Sequence, residues 1–95
     1  TPQGPYDVDR YPTFSQRATS KENKPRYWER EPYSFGDCTK YELADDFGSV
    51  WNLDGGASAL ILKSDRVNDV WVDPMAGLYG TASAKDISHA IVCYQ

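Results

Sequence analysis

The stretch S-A-L-I-L-K at residues 58–63, together with H-A-I-V-C-Y at 89–94, decides the fold. Both runs are rich in branched aliphatic residues, and both are shorter than an average helix. Turn-forming residues stand near them, with D-G-G at 54–56, S-D-R at 64–66 and D-P at 73–74. This alternation of short apolar runs and turns predicts closely spaced antiparallel strands.

The second part of the chain reads as five such strands, at residues 38–43, 49–53, 57–63, 69–73 and 87–94. We therefore predict a mainly β fold, a small antiparallel sandwich or Greek-key barrel. The stretch K-Y-E-L-A-D-D-F-G at 40–48 could instead form one or two helical turns that end with Gly48 as the cap.

The composition changes sharply near residue 33. Residues 1–33 contain five of the six prolines, one branched aliphatic residue (Val8) and a net charge of +1, whereas residues 34–95 are rich in Leu, Ile and Val and carry a net charge of −5. The first part lacks the aliphatic surface needed to fold alone. We therefore predict an extended, Pro- and aromatic-rich N-terminal arm over 1–33 and a disulfide-closed β domain over 34–95.

The predicted arm carries large aromatic side chains, which are costly to leave in water. They either pack back onto the β domain or lie along a partner protein. Tyr, Trp and Arg dominate the contacts of protein interfaces, although Trp28 could instead cover an open end of the β core. The candidate partner-binding residues are Tyr6, Tyr11, Phe14, Tyr27, Trp28, Arg30 and Tyr33.

The two cysteines, Cys38 and Cys93, bracket the apolar part of the chain, and each lies in a strand-like run. A bridge between them would close a 55-residue loop and would contribute about 4 kcal/mol on a chain-entropy basis. Two free thiols in a cytosolic protein are the alternative. The opening T-P-Q-G-P, without an initiator Met, fits a mature secreted chain or a trimmed one, so we expect a secreted, extracellular protein.

Charge and motifs argue against several classes of function. The net charge of −4 argues against nucleic acid and anionic lipid as partners, and no apolar run approaches the roughly 18 residues of a membrane span. No glycine-rich phosphate loop or G-x-S-x-G motif is present, and a single histidine with two cysteines that we expect to be bridged argues against an ordinary zinc site. The carboxylates of Asp45, Asp46 and Asp54 could hold calcium, but they lack EF-hand spacing, and a solvated acidic face is the simpler interpretation. We predict no cofactor, no metal and no small-molecule ligand.

His89 is the only histidine. It lies between Ile87 and Ile91 in an apolar strand, which predicts a side chain hydrogen-bonded within the sheet. In the alternative interpretation, a small secreted hydrolase or ribonuclease would use His89 with Arg30 and the carboxylates of Glu29 and Glu31. The acidity of the chain argues against that alternative, because RNA is attracted by positive charge.

Residues 50–94 resemble a small domain of secreted and surface-anchored bacterial proteins. The resemblance rests on V-W-N-L-D-G-G-A-S-A-L-I-L-K, N-D-V-W-V-D-P and D-I-S-H-A-I-V-C-Y, which match an "aVIVKGG" strand, an "nVYvYdP" strand and a final "ISHxxFCY" signature. This chain departs at Ser64 and Asp65, where the family has a Gly pair, and at Val92, where an aromatic is usual. The resemblance implies an extracellular β domain with a disulfide from its last strand, and it implies no catalytic activity.

A fainter internal repeat resembles the Greek-key motif of βγ-crystallin-like proteins, a fold that secreted microbial protease inhibitors also use. Tyr41 and Trp71 each lie 17 residues before a serine in a branched strand, Ser58 and Ser88 respectively.

Together these features predict a secreted, non-catalytic protein-binding or structural module. It would be a subunit or adaptor of an extracellular bacterial assembly, docking through its N-terminal arm onto another secreted or surface protein. The first alternative is a proteinaceous inhibitor of a secreted protease that presents an exposed loop at residues 73–80. The second is the hydrolase that uses His89.

Overall fold

The computed structural model describes residues 12–44, 46–81 and 85–95. These residues form seven strands and one short helix: β1 (Phe14–Arg17), α1 (Pro25–Glu29), β2 (Asp37–Glu42), β3 (Val50–Leu53), β4 (Ala59–Ser64), β5 (Val67–Val72), β6 (Gly77–Gly80) and β7 (His89–Tyr94). The described helix is far too short and too polar to cross a membrane.

Five strands form one antiparallel sheet in the order β1-β5-β4-β7-β2, and β3 pairs with β6 in a second antiparallel sheet. The centre of the large sheet is fixed by Ile61, which lies opposite Val70 on one side and Ile91 on the other. Residues 65 and 66 turn β4 into β5, with Asp65 in the left-handed region at φ 55°. The predicted mainly β, antiparallel fold is confirmed.

The central strands β4 and β7 are buried on both faces, which explains why their sequences are continuously apolar rather than alternating. One face packs against the two-stranded sheet, around a core of Leu53, Ala57, Leu60, Leu62, Trp71, Tyr79, Ile87, Ala90 and Val92. The opposite face packs against α1 and the segment after it, around Trp28, Phe35, Cys38, Ala59, Ile61, Val70, Ile91 and Cys93.

The five predicted strands are present with shifted ends, and β1, α1 and β6 are additional. The helical alternative over residues 40–48 is wrong at its start. Lys40 and Glu42 belong to β2 and lie opposite Ile91 and His89 of β7, and pairing with the large sheet overrides the local helix preference there. Gly48 does adopt a positive φ of 106°, but none of the described residues between the end of β2 and Gly48 is helical.

The change in composition at residue 33 does not coincide with a structural boundary. Strand β1 forms an edge of the large sheet, in register from Phe14 opposite Val70 to Arg17 opposite Val67, and α1 packs against β2 and β7. From residue 12 onward the segment is therefore part of the β fold rather than an extended arm. Its aromatic rings supply the apolar surface that its few aliphatic residues could not. Residues 1–11 lie outside the described part of the chain.

The chain enters β2 through a position that only glycine fits. Gly36 has a φ of 101°, and a Cβ atom there would collide with the backbone carbonyl of Tyr94. Strand β2 can therefore run close beside the end of β7, where the two cysteines meet.

Candidate binding surface

The predicted disulfide is formed between Cys38 and Cys93, which lie directly opposite each other on β2 and β7. It lies in the core beneath α1. The backbone N–H of Cys38 donates to Oε2 of Glu29 at 2.8 Å, which fastens the end of α1 to the same edge strand. A disulfide in a domain of this size is typical of an oxidising compartment.

Five aromatic rings from both sides of residue 33 form one cluster, which we call the aromatic cluster: Phe14, Tyr27, Trp28, Tyr33 and Phe35. Trp28 is its centre and has no exposed surface. Its ring centroid lies 4.9 Å from that of Tyr33 and 6.2 Å from that of Phe35. Its indole N–H donates to the backbone carbonyl of Glu22 at 3.0 Å.

The sequence left open whether the aromatic residues of the predicted arm pack onto the β domain or lie along a partner protein. For residues 12–33, the aromatic cluster shows that they pack onto the β domain. Trp28 covers the core of its own chain and is inaccessible to a partner in this conformation. Phe14, Tyr27 and Tyr33 are half-buried against the same core. The Tyr33 hydroxyl also donates to Oε1 of Gln16 at 3.2 Å, and burial raises the pKa of Tyr33. Tyr6 and Tyr11 lie outside the described residues.

A surface cavity of about 460 Å³, which we call the basic cavity, lies on the outer side of residues 20–31. Arg30 and Tyr27, two of the predicted partner-binding residues, line it. Three further cations that were not singled out from the sequence contribute to the same wall. The full lining is Ser20, Lys21, Lys24, Arg26, Tyr27, Arg30 and Glu31.

The charge of the basic cavity is opposite to that of the molecule. The chain has a net charge of −4 and ten Lys and Arg residues, and four of those ten line the cavity beside one carboxylate, that of Glu31. Among the described residues, none of the four cations forms an ion pair. Their positive potential is therefore directed to the solvent, where it attracts anionic groups.

A hydrogen-bonded turn fixes the loop that carries Lys21. The backbone N–H of Thr19 donates to the carboxylate of Glu22 at 3.0 Å, and the Thr19 hydroxyl donates to the same oxygen. The hydroxyl bond is the main reason that the pKa of Glu22 is lowered. Pro25 then occupies the first turn of α1, where a missing N–H costs nothing. The cations thus project from an ordered loop and helix.

His89 is buried in the large sheet, with 3% of its surface exposed. Its Nε2 has no hydrogen-bond partner among the described residues, whereas the sequence predicted a hydrogen-bonded side chain. Burial is the main reason that the pKa of His89 falls to about 4, and the neighbouring charges of Lys40 and Lys63 lower it further. The imidazole is therefore neutral at neutral pH.

The hydrolase alternative requires Glu29, Arg30 and Glu31 to act together with His89, but these three side chains make their contacts elsewhere. Glu29 accepts the Cys38 N–H, whereas Arg30 and Glu31 line the basic cavity. None of these three is among the residues whose charges shift the pKa of His89.

Two of the three acidic residues considered for calcium, Asp46 and Asp54, are exposed, and Asp45 lies outside the described residues. Within the described ranges no three His, Cys, Asp or Glu side chains are grouped closely enough to hold a metal ion.

Comparison with protein families, with characterised proteins and with solved structures found no match for this chain. The basic cavity is therefore interpreted from its own geometry and charge.

Proposed function

We propose that this chain is a secreted, non-catalytic protein-binding module, and that it docks an acidic segment of another secreted or surface protein in the basic cavity. The observation that carries the proposal is the presence of Lys21, Lys24, Arg26 and Arg30 around one concavity of an acidic molecule, without ion-pair partners in the described residues.

The physical basis is electrostatic complementarity at a preformed surface. Cations that are already held on an ordered loop and helix lose less freedom on binding than cations on an unstructured arm. Opposite charges increase the rate of encounter and select against basic partners. The ring of Tyr27 gives the cavity an apolar wall, against which the carbon atoms of a bound chain can pack.

The N-terminal segment thus keeps the docking role that its composition predicted, but it plays that role from a folded position. The aromatic cluster anchors it to the sheet, and the cations face outward. The disulfide supports an oxidising location, and we extend this to secretion as part of the proposal. The net charge of −4 opposes a long polyanion such as RNA.

The proposal is tested by titrating the ¹⁵N-labelled full chain with an eight-residue Asp/Glu peptide. A Gln/Asn peptide of equal length and an oligonucleotide of equal charge serve as comparisons. We expect amide shifts concentrated at residues 20–31 with the acidic peptide and none with the neutral one. Equal responses to both peptides, or shifts away from residues 20–31, would refute docking in the basic cavity. A stronger response to the oligonucleotide would replace the protein partner with nucleic acid.

One observation favours the protease-inhibitor alternative as a second candidate. Met75 is 71% exposed, more than any other large apolar residue in the described chain. The Tyr79 hydroxyl donates a hydrogen bond to the backbone carbonyl of Met75 at 2.6 Å, and Pro74 restricts the backbone just before Met75. The exposed loop is shorter than the predicted 73–80, because β6 occupies Gly77–Gly80 and leaves residues 73–76.

Stoichiometric titration of chymotrypsin-like and subtilisin-like proteases tests this second candidate. We expect inhibition by the natural chain and by Met75→Leu, and none by Met75→Asp, because the side chain would enter an apolar pocket. Full protease activity at a several-fold excess of the natural chain eliminates it.

A further inference from the structure

Five polar side chains form a continuous row across the large sheet, which we call the polar row. In register they are Gln16 on β1, Asn68 on β5, Lys63 on β4, His89 on β7 and Glu42 on β2. Side chains directly opposite on neighbouring strands have Cβ atoms about 5 Å apart. The row lies on the sheet face that carries the aromatic cluster, because Lys63 is two residues from Ile61 and His89 two residues from Ile91.

Two members of the polar row are deeply buried and carry polar atoms that have no hydrogen-bond partner in the described part of the chain. Asn68 has no exposed surface, and neither atom of its amide is bonded. His89 is 3% exposed with Nε2 unbonded. Beside Asn68, the Nε2 of Gln16 is also buried and unbonded, while its Oε1 accepts from Tyr33. An unpaired buried polar atom is costly, so these atoms require an occupant that is not part of the chain.

The unpaired groups are mostly donors. Gln16 and Asn68 each offer an N–H₂ group, and the neutral imidazole of His89 can carry its hydrogen on Nε2. Only the Oδ1 of Asn68 is a fixed acceptor. An ordered water would need donors and acceptors in similar number, whereas this set favours an acceptor-only occupant.

The charge balance favours the same kind of occupant. Lys63 lies between Asn68 and His89 and forms no ion pair with any described residue. The carboxylate of Glu42 at the end of the row is already paired with Lys40 at 2.8 Å, and this contact lowers the pKa of Glu42. Lys63 contributes only a smaller part of the lowering of the Glu42 pKa, and it has no direct ion-pair partner among the described residues.

We propose that the polar row binds a small monovalent anion of the size of chloride, held by the Lys63 ammonium and the amide N–H₂ groups of Asn68 and Gln16. This site is separate from the basic cavity, and it does not depend on the proposed function. The anion would stabilise the fold by accepting hydrogen bonds from the unpaired amide N–H₂ groups and by compensating the charge of Lys63.

The test is thermal unfolding of the full chain in sodium chloride and in sodium gluconate at equal ionic strength, since gluconate is a far larger anion than chloride. We expect a saturable rise in Tm that is specific to chloride, about 5–10 °C at a tenfold excess over the dissociation constant. Excess line broadening of the ³⁵Cl resonance by the protein gives a readout that does not depend on stability.

Three variants locate the site. Lys63→Met keeps the aliphatic stem and Asn68→Leu the approximate volume, and both should abolish the chloride-specific rise and the ³⁵Cl broadening. Lys85→Met, which removes an exposed lysine paired with Asp65, should retain both. Identical Tm values in the two salts, with no ³⁵Cl broadening by the natural chain, would overturn the proposal and leave ordered water as the occupant. Unchanged broadening in folded Asn68→Leu would overturn the assignment to the polar row.

Discussion

Replacing Trp28 by alanine should be one of the most destabilising single substitutions in this chain. The side chain has no exposed surface, packs against the rings of Tyr27, Tyr33 and Phe35 at centroid distances of 5.0, 4.9 and 6.2 Å, and donates a hydrogen bond to the Glu22 carbonyl. Truncation of a buried tryptophan costs about 3–5 kcal/mol. A domain of this length has a total stability of about 5–14 kcal/mol.

Urea unfolding followed by far-UV circular dichroism measures this cost without relying on the fluorescence of the deleted indole. Tyr41→Ala is the matched control, since Tyr41 is an aromatic residue that contacts Trp51 but is 43% exposed. We expect a loss of about 4 kcal/mol for Trp28→Ala and less than about 1 kcal/mol for the control. Similar small losses for both variants would refute the claim that residues 12–33 are part of the fold.

Two further predictions concern the disulfide and the buried histidine. Replacing Cys38 and Cys93 together by serine should lower the free energy of unfolding by about 4 kcal/mol; an unchanged urea midpoint would show that the closed 55-residue loop contributes nothing. The pKa of His89 is about 4 in the folded chain and about 6.5 in the unfolded chain. The stability that comes from burying the neutral imidazole is therefore fully present above pH 6.5 and is lost as the pH falls towards 4. The free energy of unfolding should fall in total by on the order of 3 kcal/mol, beginning between pH 6.5 and 5, where carboxylates scarcely titrate. This early fall should be absent in His89→Gln. Equal pH profiles of the two proteins in chloride-free buffer would contradict the burial of a neutral imidazole.

The central part of the fold could be predicted because its signal is local. The branched runs of β4 and β7 identify buried strands, and the positions of the two cysteines at the ends of the apolar region predicted their bridge. Strand β1 could not be found in this way, since F-S-Q-R contains no branched aliphatic residue. It is a strand because Phe14 pairs with Val70, a contact across 56 residues of sequence.

The division at residue 33 shows where composition misleads. The sequence predicted an extended arm and left open whether its aromatic rings pack onto the β domain; in the structure this segment contributes Trp28, one of the largest fully buried side chains. Aromatic rings bury as much apolar surface as several aliphatic side chains. A five-residue helix that begins at Pro25 is also too short for a periodic pattern.

The candidate sites were visible only in part. Tyr27 and Arg30 were selected by residue type, and Lys21, Lys24 and Arg26 stand close to them in the sequence. Their grouping around one cavity depends on the Thr19–Glu22 turn and on α1, which the sequence did not predict. The polar row depends on the register of five strands, and no local pattern places Lys63 between Asn68 and His89.

The most direct test of docking in the basic cavity is a calorimetric comparison of two charge-reversal variants binding the Asp/Glu peptide. Lys24→Glu with Arg30→Glu changes the cavity, whereas Arg66→Glu with Lys85→Glu changes exposed cations elsewhere, and both pairs bring the net charge to −8. For a separation of about 6 Å between each reversed side chain and one carboxylate of the peptide, at physiological salt, reversing two charges weakens binding by about 1.3 kcal/mol, or about tenfold. We predict that loss for the cavity pair and less than about twofold for the control pair. Equal weakening by both pairs would show that only net charge matters and would contradict docking in the basic cavity.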